Sequence, residues 1–456
     1  MPKPNLKVIS QGCAANFGEG EKIARLLQDK YNVSFGFFDK EGRSGSADND
    51  DKKSSNAKGY GDTPVDAYIL NVCTVKGNAS AIKLLRQARE NSPEAAIYVT
   101  GCAPKDLKLE VARIDPGVVF TSLTELSKGD GPIKAGSPIV APTVLRESPL
   151  VGIVNIEEGC LDACAYCSTR LVKGRLRSFP ASAIVEQVKQ LVHDGCKEIQ
   201  LTGQDCGCYG FDFGEKVSDS VQGRQPRNLA ELVQKILVEV GGDYRIRLGM
   251  GNPRHILQYI EALLECFQDD RVYKFIHLPV QSGSERTLQN MNRKHTAQDY
   301  ITLTNEFNKR FSLFTLSTDL IVGFPGETEL DFADTLQVLR ETRPTVCNIT
   351  RFVSRPGTPA SRMEGTVPDV VKHKRSAELA AVFQQIAAEN NARWIGQTEQ
   401  VTVEKDGYRK GTLIARNDAY RPVAIQDPGT KMIPPGTRLT VKITGAEPFA
   451  LLGNSI

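Results

Sequence analysis

Nowhere in its 456 residues does the chain carry a run of about eighteen apolar residues, so no segment is suited to cross a bilayer as a helix. The first ten residues, MPKPNLKVIS, lack the apolar core of a signal peptide, and the expected location is therefore cytoplasmic. Without an export signal, an odd count of eleven cysteines argues against a disulfide framework and for metal ligation, with the remaining thiols buried. Net charge is also scarce: at +3 the balance identifies no polyanionic partner, so any nucleic-acid surface must be local. Histidines number five, and those nearest the main cysteine cluster, His193 and His255, have no ligand-like spacing.

What is present is the composition of a folded protein, 40% hydrophobic and 24% charged, in a chain long enough for two to four domains. LKVIS, DAYILNV and AAIYVTG alternate with amphipathic helices carrying Ile23, Leu26, Leu27, Ile82 and Leu85, which predicts an N-terminal parallel α/β domain over 1–125. Between residues 40 and 64 a Ser/Gly/Asp/Lys tract with little to bury reads as a mobile surface loop. A linker is expected at 126–148. From 149 to 385, VGIVNIEEG, KEIQLTG, YRIRLGM, KFIHLPV, LSTDLIVG and TVCNITRF predict a partial or complete βα barrel, with chemistry at the C-terminal ends of its strands. Residues 396–456 read as short strands punctuated by Gly and Pro, a small antiparallel β-barrel. The fold class is α/β throughout its first two parts.

Cys160, Cys164 and Cys167 form a C-x3-C-x2-C loop directly after the first strand of the barrel-like segment. Three thiolates on one loop can hold three irons of a 4Fe-4S cluster and leave the fourth open to an exogenous ligand. Tetrahedral zinc normally wants a fourth local Cys or His, which this loop lacks. Cys13, Cys73 and Cys102 each stand where a strand of the first domain hands over to a loop or helix. Such ends line one edge of a parallel sheet, so three cysteines distant in sequence can converge there as a second set. The alternative is three separately buried thiols. Asn16 and Asn71 and the small residues beside them leave room for a bulky group.

The spacing of the central cysteines, Tyr166 before the third of them and the barrel behind resemble the radical S-adenosylmethionine superfamily. Taken with GCAAN, NVCTV, VTGCAP, LTGQD, HLPVQSGSERTL, TDLIVGFPGET and SRPGTPA, nearly the whole chain resembles its methylthiotransferase family. The wording is most similar to the archaeal and eukaryotic branch acting on N6-threonylcarbamoyladenosine at position 37 of tRNA. The resemblance implies two 4Fe-4S clusters, an auxiliary one on Cys13, Cys73 and Cys102 and a radical-generating one on Cys160, Cys164 and Cys167, with S-adenosylmethionine as cosubstrate. It implies a TRAM-like, RNA-binding terminal barrel and tRNA as partner, together with an electron donor and a sulfur source of unstated identity. Membranes and DNA are not expected partners. Where the family reads roughly N-x-x-D-S-E after its first cysteine, this chain has Asn16 followed by FGEGE.

Strand-end positions make Gln204, Asn252, Gln281 and Ser282 candidates for contacts to S-adenosylmethionine. Gly323–Thr328, GFPGET, is a Gly/Pro turn of the same kind. The basic run Arg170, Lys173, Arg175 and Arg177 offers phosphate contacts beside the active site, or else a solvated loop. In the terminal barrel, Lys405, Arg409, Lys410, Arg416, Arg421, Lys431, Arg438 and Lys442 are offset by six acidic residues, and Tyr408 and Tyr420 could stack bases or fill the core. Cys206 and Cys208 form a C-x-C that departs from the family wording and could be reactive, whereas Cys196, Cys266 and Cys347 read as buried thiols. Two other functions compete: methylthiolation of a ribosomal protein side chain, with the terminal barrel docking protein, and a non-catalytic iron–sulfur RNA-binding redox sensor.

Overall fold

The computed structural model describes residues 2–38, 44–46, 64–73, 77–128, 145–214, 225–407, 409, 411–426 and 433–456, without side chains at 37, 38, 44–46, 124, 127 and 128. Most of the polar tract, Tyr408, Lys410 and Lys431 lie outside these residues.

The first domain runs β1 (Asn5–Ser10), α1 (Ala14–Leu27), β2 (Asn32–Phe38), β3 (Ser44–Ser46), β4 (Ala67–Val72), α2 (Asn78–Asn91), β5 (Ala96–Gly101), α3 (Lys105–Ile114), β6 (Val119–Phe120) and α4 (Leu123–Lys128). Its sheet has the order β3-β2-β1-β4-β5-β6, parallel except for β3, which pairs antiparallel with β2. Sequence patterning identified three of these strands. It passed over β2, although Val33 and Phe35 alternate with Asn32 and Ser34, together with β3, which falls in the tract read as a loop, and the two-residue β6. Every residue of β4, AYILNV, is buried because helices cover both faces of the central strand.

The second domain comprises β7 (Val151–Asn155), β8 (Glu157–Glu158), α5 (Thr169–Lys173), β9 (Arg177–Ser178), α6 (Ala181–His193), β10 (Glu198–Thr202), α7 (Leu229–Glu239), β11 (Arg245–Leu248), α8 (Pro253–Ile256), α9 (Ile260–Cys266), β12 (Phe275–His277), α10 (Glu285–Asn290), α11 (Ala297–Arg310), β13 (Thr315–Val322), α12 (Glu329–Thr342), β14 (Val346–Arg351) and α13 (Asp369–Ala392). Strands β7, β10 and β11 form one parallel set and β12, β13 and β14 another. Backbone bonds from Ile246 N to Arg271 O (2.6 Å), Tyr273 N to Ile246 O (3.0 Å) and Gly251 N to His277 O (3.0 Å) join the two sets. The result is a six-stranded open barrel, with β7 and β14 at its edges. Helix α13 packs on β14 and continues to Ala392.

At the other edge, α1 of the first domain lies against β7. A side chain at Gly18 would meet Ile153 Cγ2 and Asn155 Oδ1 at 2.6 Å, so only glycine permits this approach. Asn155 Nδ2 donates to Ala15 O (3.3 Å) across the same seam.

The terminal segment closes as a five-stranded barrel of β15 (Thr398–Asp406), β16 (Thr412–Asn417), β17 (Pro422–Gln426), β18 (Arg438–Ala446) and β19 (Leu451–Ser455), in the order β15-β16-β17-β19-β18. It is not wholly antiparallel as expected: β17 and β19 pair parallel, which the crossing β18 makes possible. The barrel docks on the second domain through Lys274 N to Asp418 O (2.8 Å) and Thr315 Oγ1 to Ala419 O (2.6 Å). Tyr420, read from sequence as a base-stacking or core residue, instead fills this junction. Its ring lies 4.9 Å from that of Tyr273 and 5.0 Å from that of Phe275, and its hydroxyl donates to Glu198 (2.9 Å).

Among the described residues no helix is long and apolar enough to cross a membrane.

Candidate functional site

Cys13 occupies the N-cap position of α1 and offers that helix no side-chain hydrogen bond. Its sulfur therefore lies at the positive end of a 14-residue helix, a position that favours an anionic sulfur. Cys73 follows β4 directly, and Cys102 is anchored by its N–H to Val72 O (2.9 Å). The three converge: the Cys13 thiol is hydrogen-bonded to Cys73 and within electrostatic reach of Cys102. Two asparagine amides tie the loops together. Asn16 Nδ2 donates to Gln11 O (2.8 Å) and Asn71 O (2.9 Å), while Asn71 Nδ2 donates to Asn16 O (2.6 Å). Gly12, at φ +107°, leaves the space beside Cys73 that a Cβ would fill.

The Cys73 hydrogen bond, then burial, push the Cys13 thiol well above its ordinary range, and burial carries Cys102 to about 12. Thiols held so close resist ionising together unless a cation compensates them. A tri-thiolate metal group fits this donor set.

Cys160, Cys164 and Cys167 sit on the loop that leaves the C-terminal end of β7. Three backbone or amide contacts clamp that loop: Ala165 N to Met291 O (2.8 Å), Ala360 N to Ala165 O (2.9 Å) and Asn292 Nδ2 to Ala163 O (2.7 Å). N–H groups point at the sulfurs, from Thr169 to Cys167 (3.4 Å) and from buried Arg293 to Cys164 (3.5 Å). Such donors stabilise cluster thiolates and tune their potential. Arg293 Nε is buried without a partner, an unused donor at the same place. Burial raises the Cys160 and Cys164 thiols, so here too a cation is needed to hold them as thiolates.

Behind this loop lies a polar network that the sequence did not reveal. Asp162 accepts from Asn252 Nδ2 (2.6 Å) and Arg254 (2.8 Å) and meets His255 Nε2 at 3.1 Å. Asp205 accepts from Asn252 N (2.9 Å) and Gly207 N (3.1 Å), and buried Glu157 accepts from Asp205 N (2.7 Å). Asp205, Cys208 and His255 hold ligand atoms within 4.8 Å of one another, although His255 has no ligand-like spacing in sequence. Asp205 Oδ1 is already engaged with two backbone N–H groups, and Oδ2 lies 3.6 Å from His255 Nε2. Cys206 and Cys208 lie on the adjoining 3-10 turn, fully buried, with thiols that burial drives far above the usual range. Both thiols are closed off from solvent, and burial disfavours the thiolate that reactivity would need. Cys196 and Cys266 are buried, while Cys347 is half-buried on β14.

The four residues proposed from sequence as cofactor contacts occupy different roles. Gln204 accepts from Gly159 N (2.7 Å) and so steadies the cysteine loop. Asn252 caps α8, and its Oδ1 accepts from Arg293 (3.1 Å) and meets His295 Nδ1 (3.1 Å). Ser282 turns to α12, its hydroxyl 3.2 Å from that of Thr335. Gln281 adopts φ +74°, rare for a non-glycine residue, and among the described residues no hydrogen bond holds its side chain. Such strain collects at ligand sites. Inside the barrel, His277 Nε2 lies 3.1 Å from Asp319, which also accepts from Asn348 (2.8 Å). Burial would raise the Asp319 carboxyl, but these partners hold it below its usual range. Only the alternation of β12, β13 and β14 could have signalled this trio.

Of the basic run, Lys173 is committed to a buried pair with Glu19 (2.9 and 2.7 Å), Arg177 pairs with Glu158 (2.7 Å), and Arg170 donates to Leu161 O (3.2 Å). Arg175 is exposed. In the terminal barrel Arg416 pairs with Glu404, Arg421 is buried against Asn391, and Arg438 faces Asp418, so these three serve packing. Lys405, Arg409 and Lys442 remain exposed.

Residues 154–339 match the Radical SAM superfamily and residues 392–456 the TRAM domain. Radical SAM membership implies a 4Fe-4S cluster and S-adenosylmethionine. A protein of Archaeoglobus fulgidus named probable threonylcarbamoyladenosine tRNA methylthiotransferase is 42% identical over 282 residues, which span 62% of this chain and 63% of that one. One of the same name in Pyrococcus abyssi is 39% identical over 92% of each chain. The human threonylcarbamoyladenosine tRNA methylthiotransferase is 31% identical over 91% of this chain and 68% of its own.

Proposed function

This chain belongs to the threonylcarbamoyladenosine tRNA methylthiotransferase family, and from that premise we propose that it adds a methylthio group to N6-threonylcarbamoyladenosine at position 37 of tRNA. The observation that carries the reading is that Cys102 of one three-cysteine set lies within electrostatic reach of Cys167 of the other. An aromatic C–H bond does not yield to a sulfur nucleophile, so activation and sulfur delivery must occur at one place.

In this reading Cys160, Cys164 and Cys167 hold the radical-generating 4Fe-4S cluster, and Cys13, Cys73 and Cys102 an auxiliary one. When bound, the first supplies, with S-adenosylmethionine, a carbon radical, and the second holds sulfur. The protein's part is positional. Arg293 and Thr169 fix the sulfurs of the central loop, and the Asn16–Asn71 amide lock fixes the auxiliary loops. Gln281, with His277, Asp319 and Asn348 on β12, β13 and β14, offers polar groups to the cosubstrate and the modified base. Arg175 at the rim and Arg409 and Lys442 on the terminal barrel offer exposed cations to phosphate. The expected location is the cytoplasm.

The test is anaerobic reconstitution with iron and sulfide, followed by an iron count and nucleoside analysis of tRNA carrying threonylcarbamoyladenosine. About eight irons per chain, with 5′-deoxyadenosine and a methylthio-nucleoside, are expected from two 4Fe-4S sites. About four irons, lost entirely in Cys160→Ala, would sink the two-cluster reading.

A further inference from the structure

Lys173 and Glu19 are each six residues beyond a cluster cysteine, Cys167 and Cys13 respectively, on the helices that follow the two cysteine loops. One belongs to the second domain and the other to the first. Their side chains meet in a bidentate pair, Lys173 Nζ to Glu19 Oε1 at 2.9 Å and Oε2 at 2.7 Å, and are only 8% and 9% exposed. Both charges lie within electrostatic reach of Cys102, which also senses Cys167. A surface clamp would have no need of this burial, and two charges taken from water are costly unless the site uses them.

We propose that the Lys173–Glu19 pair is a positioning and tuning device for the auxiliary site: it locks α1 to α5 across the domain seam and sets, through its two opposed charges, the reduction potential of the cluster held by Cys13, Cys73 and Cys102. The inference rests on the two-cluster reading. Net charge beside a cluster is one of the protein's main controls of its potential. Lys173 favours the more negative, reduced state, and Glu19 opposes it. The two act through a low-dielectric seam where each counts for more than in water.

The same placement explains the FGEGE wording after Asn16. Gly18 permits contact with β7. Glu19 supplies the anion where the family pattern has Asp. Gly20 leaves space for the Ser10 hydroxyl, which a Cβ there would approach to 2.1 Å. What reads in sequence as a departure is a set of residues fitted to one helix seam.

The experiment is a potentiometric titration followed by electron paramagnetic resonance on the full-length reconstituted chain. It compares wild type, Lys173→Gln, Glu19→Gln, the double variant and Lys173→Arg, with Cys160→Ala/Cys164→Ala/Cys167→Ala to assign the auxiliary signal. Lys173→Gln should move the auxiliary potential down and Glu19→Gln should move it up. The double variant, with two amides able to hydrogen-bond, should return toward wild type, and Lys173→Arg should stay there. A pair that serves only as a clamp would shift both single variants the same way or neither, and either result would overturn the proposal. A wild-type chain with about four irons and no auxiliary signal would instead overturn the two-cluster reading, and this inference with it.

Discussion

Gly12→Ala places one methyl group against the auxiliary site and nowhere else. Gly12 has φ +107°, and the added Cβ would lie 2.5 Å from Cys73 Cβ and 2.6 Å from its Sγ. Carbon atoms pack at about 3.5–4.0 Å, so Cys73 has to retreat by about 1 Å. Metal–ligand distances tolerate roughly 0.2 Å, a fifth of that displacement. The energetic cost combines about 1–2 kcal/mol for an L side chain in the left-handed region with about 1–3 kcal/mol of overpacking, or roughly 2–5 kcal/mol together. A domain stable by about 5–15 kcal/mol survives that, so the chain should fold with the auxiliary site spoiled. Iron per chain should then fall from about eight to about four. The central cluster's signal should persist while methylthio-nucleoside formation is lost. A Gly12→Ala chain that keeps about eight irons and an unaltered auxiliary spectrum would refute the convergence argued for Cys13, Cys73 and Cys102.

Arg293→Met removes the donor to Cys164, Asn252 Oδ1 and Pro279 O. At about 1–3 kcal/mol for each buried acceptor left unpaired, the denaturation midpoint should fall and iron on the central set should be lost, and an unchanged iron count would contradict the role assigned to this arginine. Tyr420→Ala should weaken docking of the terminal barrel by roughly 3–5 kcal/mol, read as faster proteolysis between Ala392 and Thr398; cleavage no faster than wild type would show that the ring is dispensable. Burial raises the Glu21 carboxyl to about 7, so the folded chain holds its proton more tightly than the unfolded one. Stability is thus fullest below the ordinary carboxylate range and declines as pH rises to about 7, and Glu21→Gln should gain roughly 2–3 kcal/mol over wild type at pH 8 and none at pH 4, measured by denaturant unfolding.

The cysteines were legible because each follows a strand whose apolar run marks its end, and position in a parallel sheet then dictates convergence. Residues that support them were not. Asp162 meets Arg254 and His255, and Arg293 reaches Cys164, across separations of 92, 93 and 129 residues, which no local pattern encodes. Asn252 and Gln204 stood out as strand-end polar groups, yet both spend their amides on the protein's own loops. One residue after Gln281 the Ser282 hydroxyl faces Thr335 of α12, a direction that adjacency in HLPVQSG does not convey. For Lys173 and Tyr420 the sequence leaves both an RNA-facing and a structural reading open, because composition counts charges and rings without knowing which are already paired.

Closure of the barrel and placement of the auxiliary site are one event in this fold. A six-stranded open barrel leaves β7 and β14 as edges, and unpaired edges need cover. Helix α13 covers β14, and α1, whose N-cap is Cys13, covers β7. Glycine inside a helix costs about 1 kcal/mol relative to alanine, and α1 contains two, at positions 18 and 20. Helix formation alone would select against both. What they purchase is distance: at Gly18 the helix approaches β7 closely enough for Asn155 to reach Ala15 O and for Glu19 to reach Lys173. A larger residue at position 18 would push α1 off the barrel edge and carry Cys13 away with it. Cys13 and the barrel edge are therefore held in register by the same two glycines that weaken the helix.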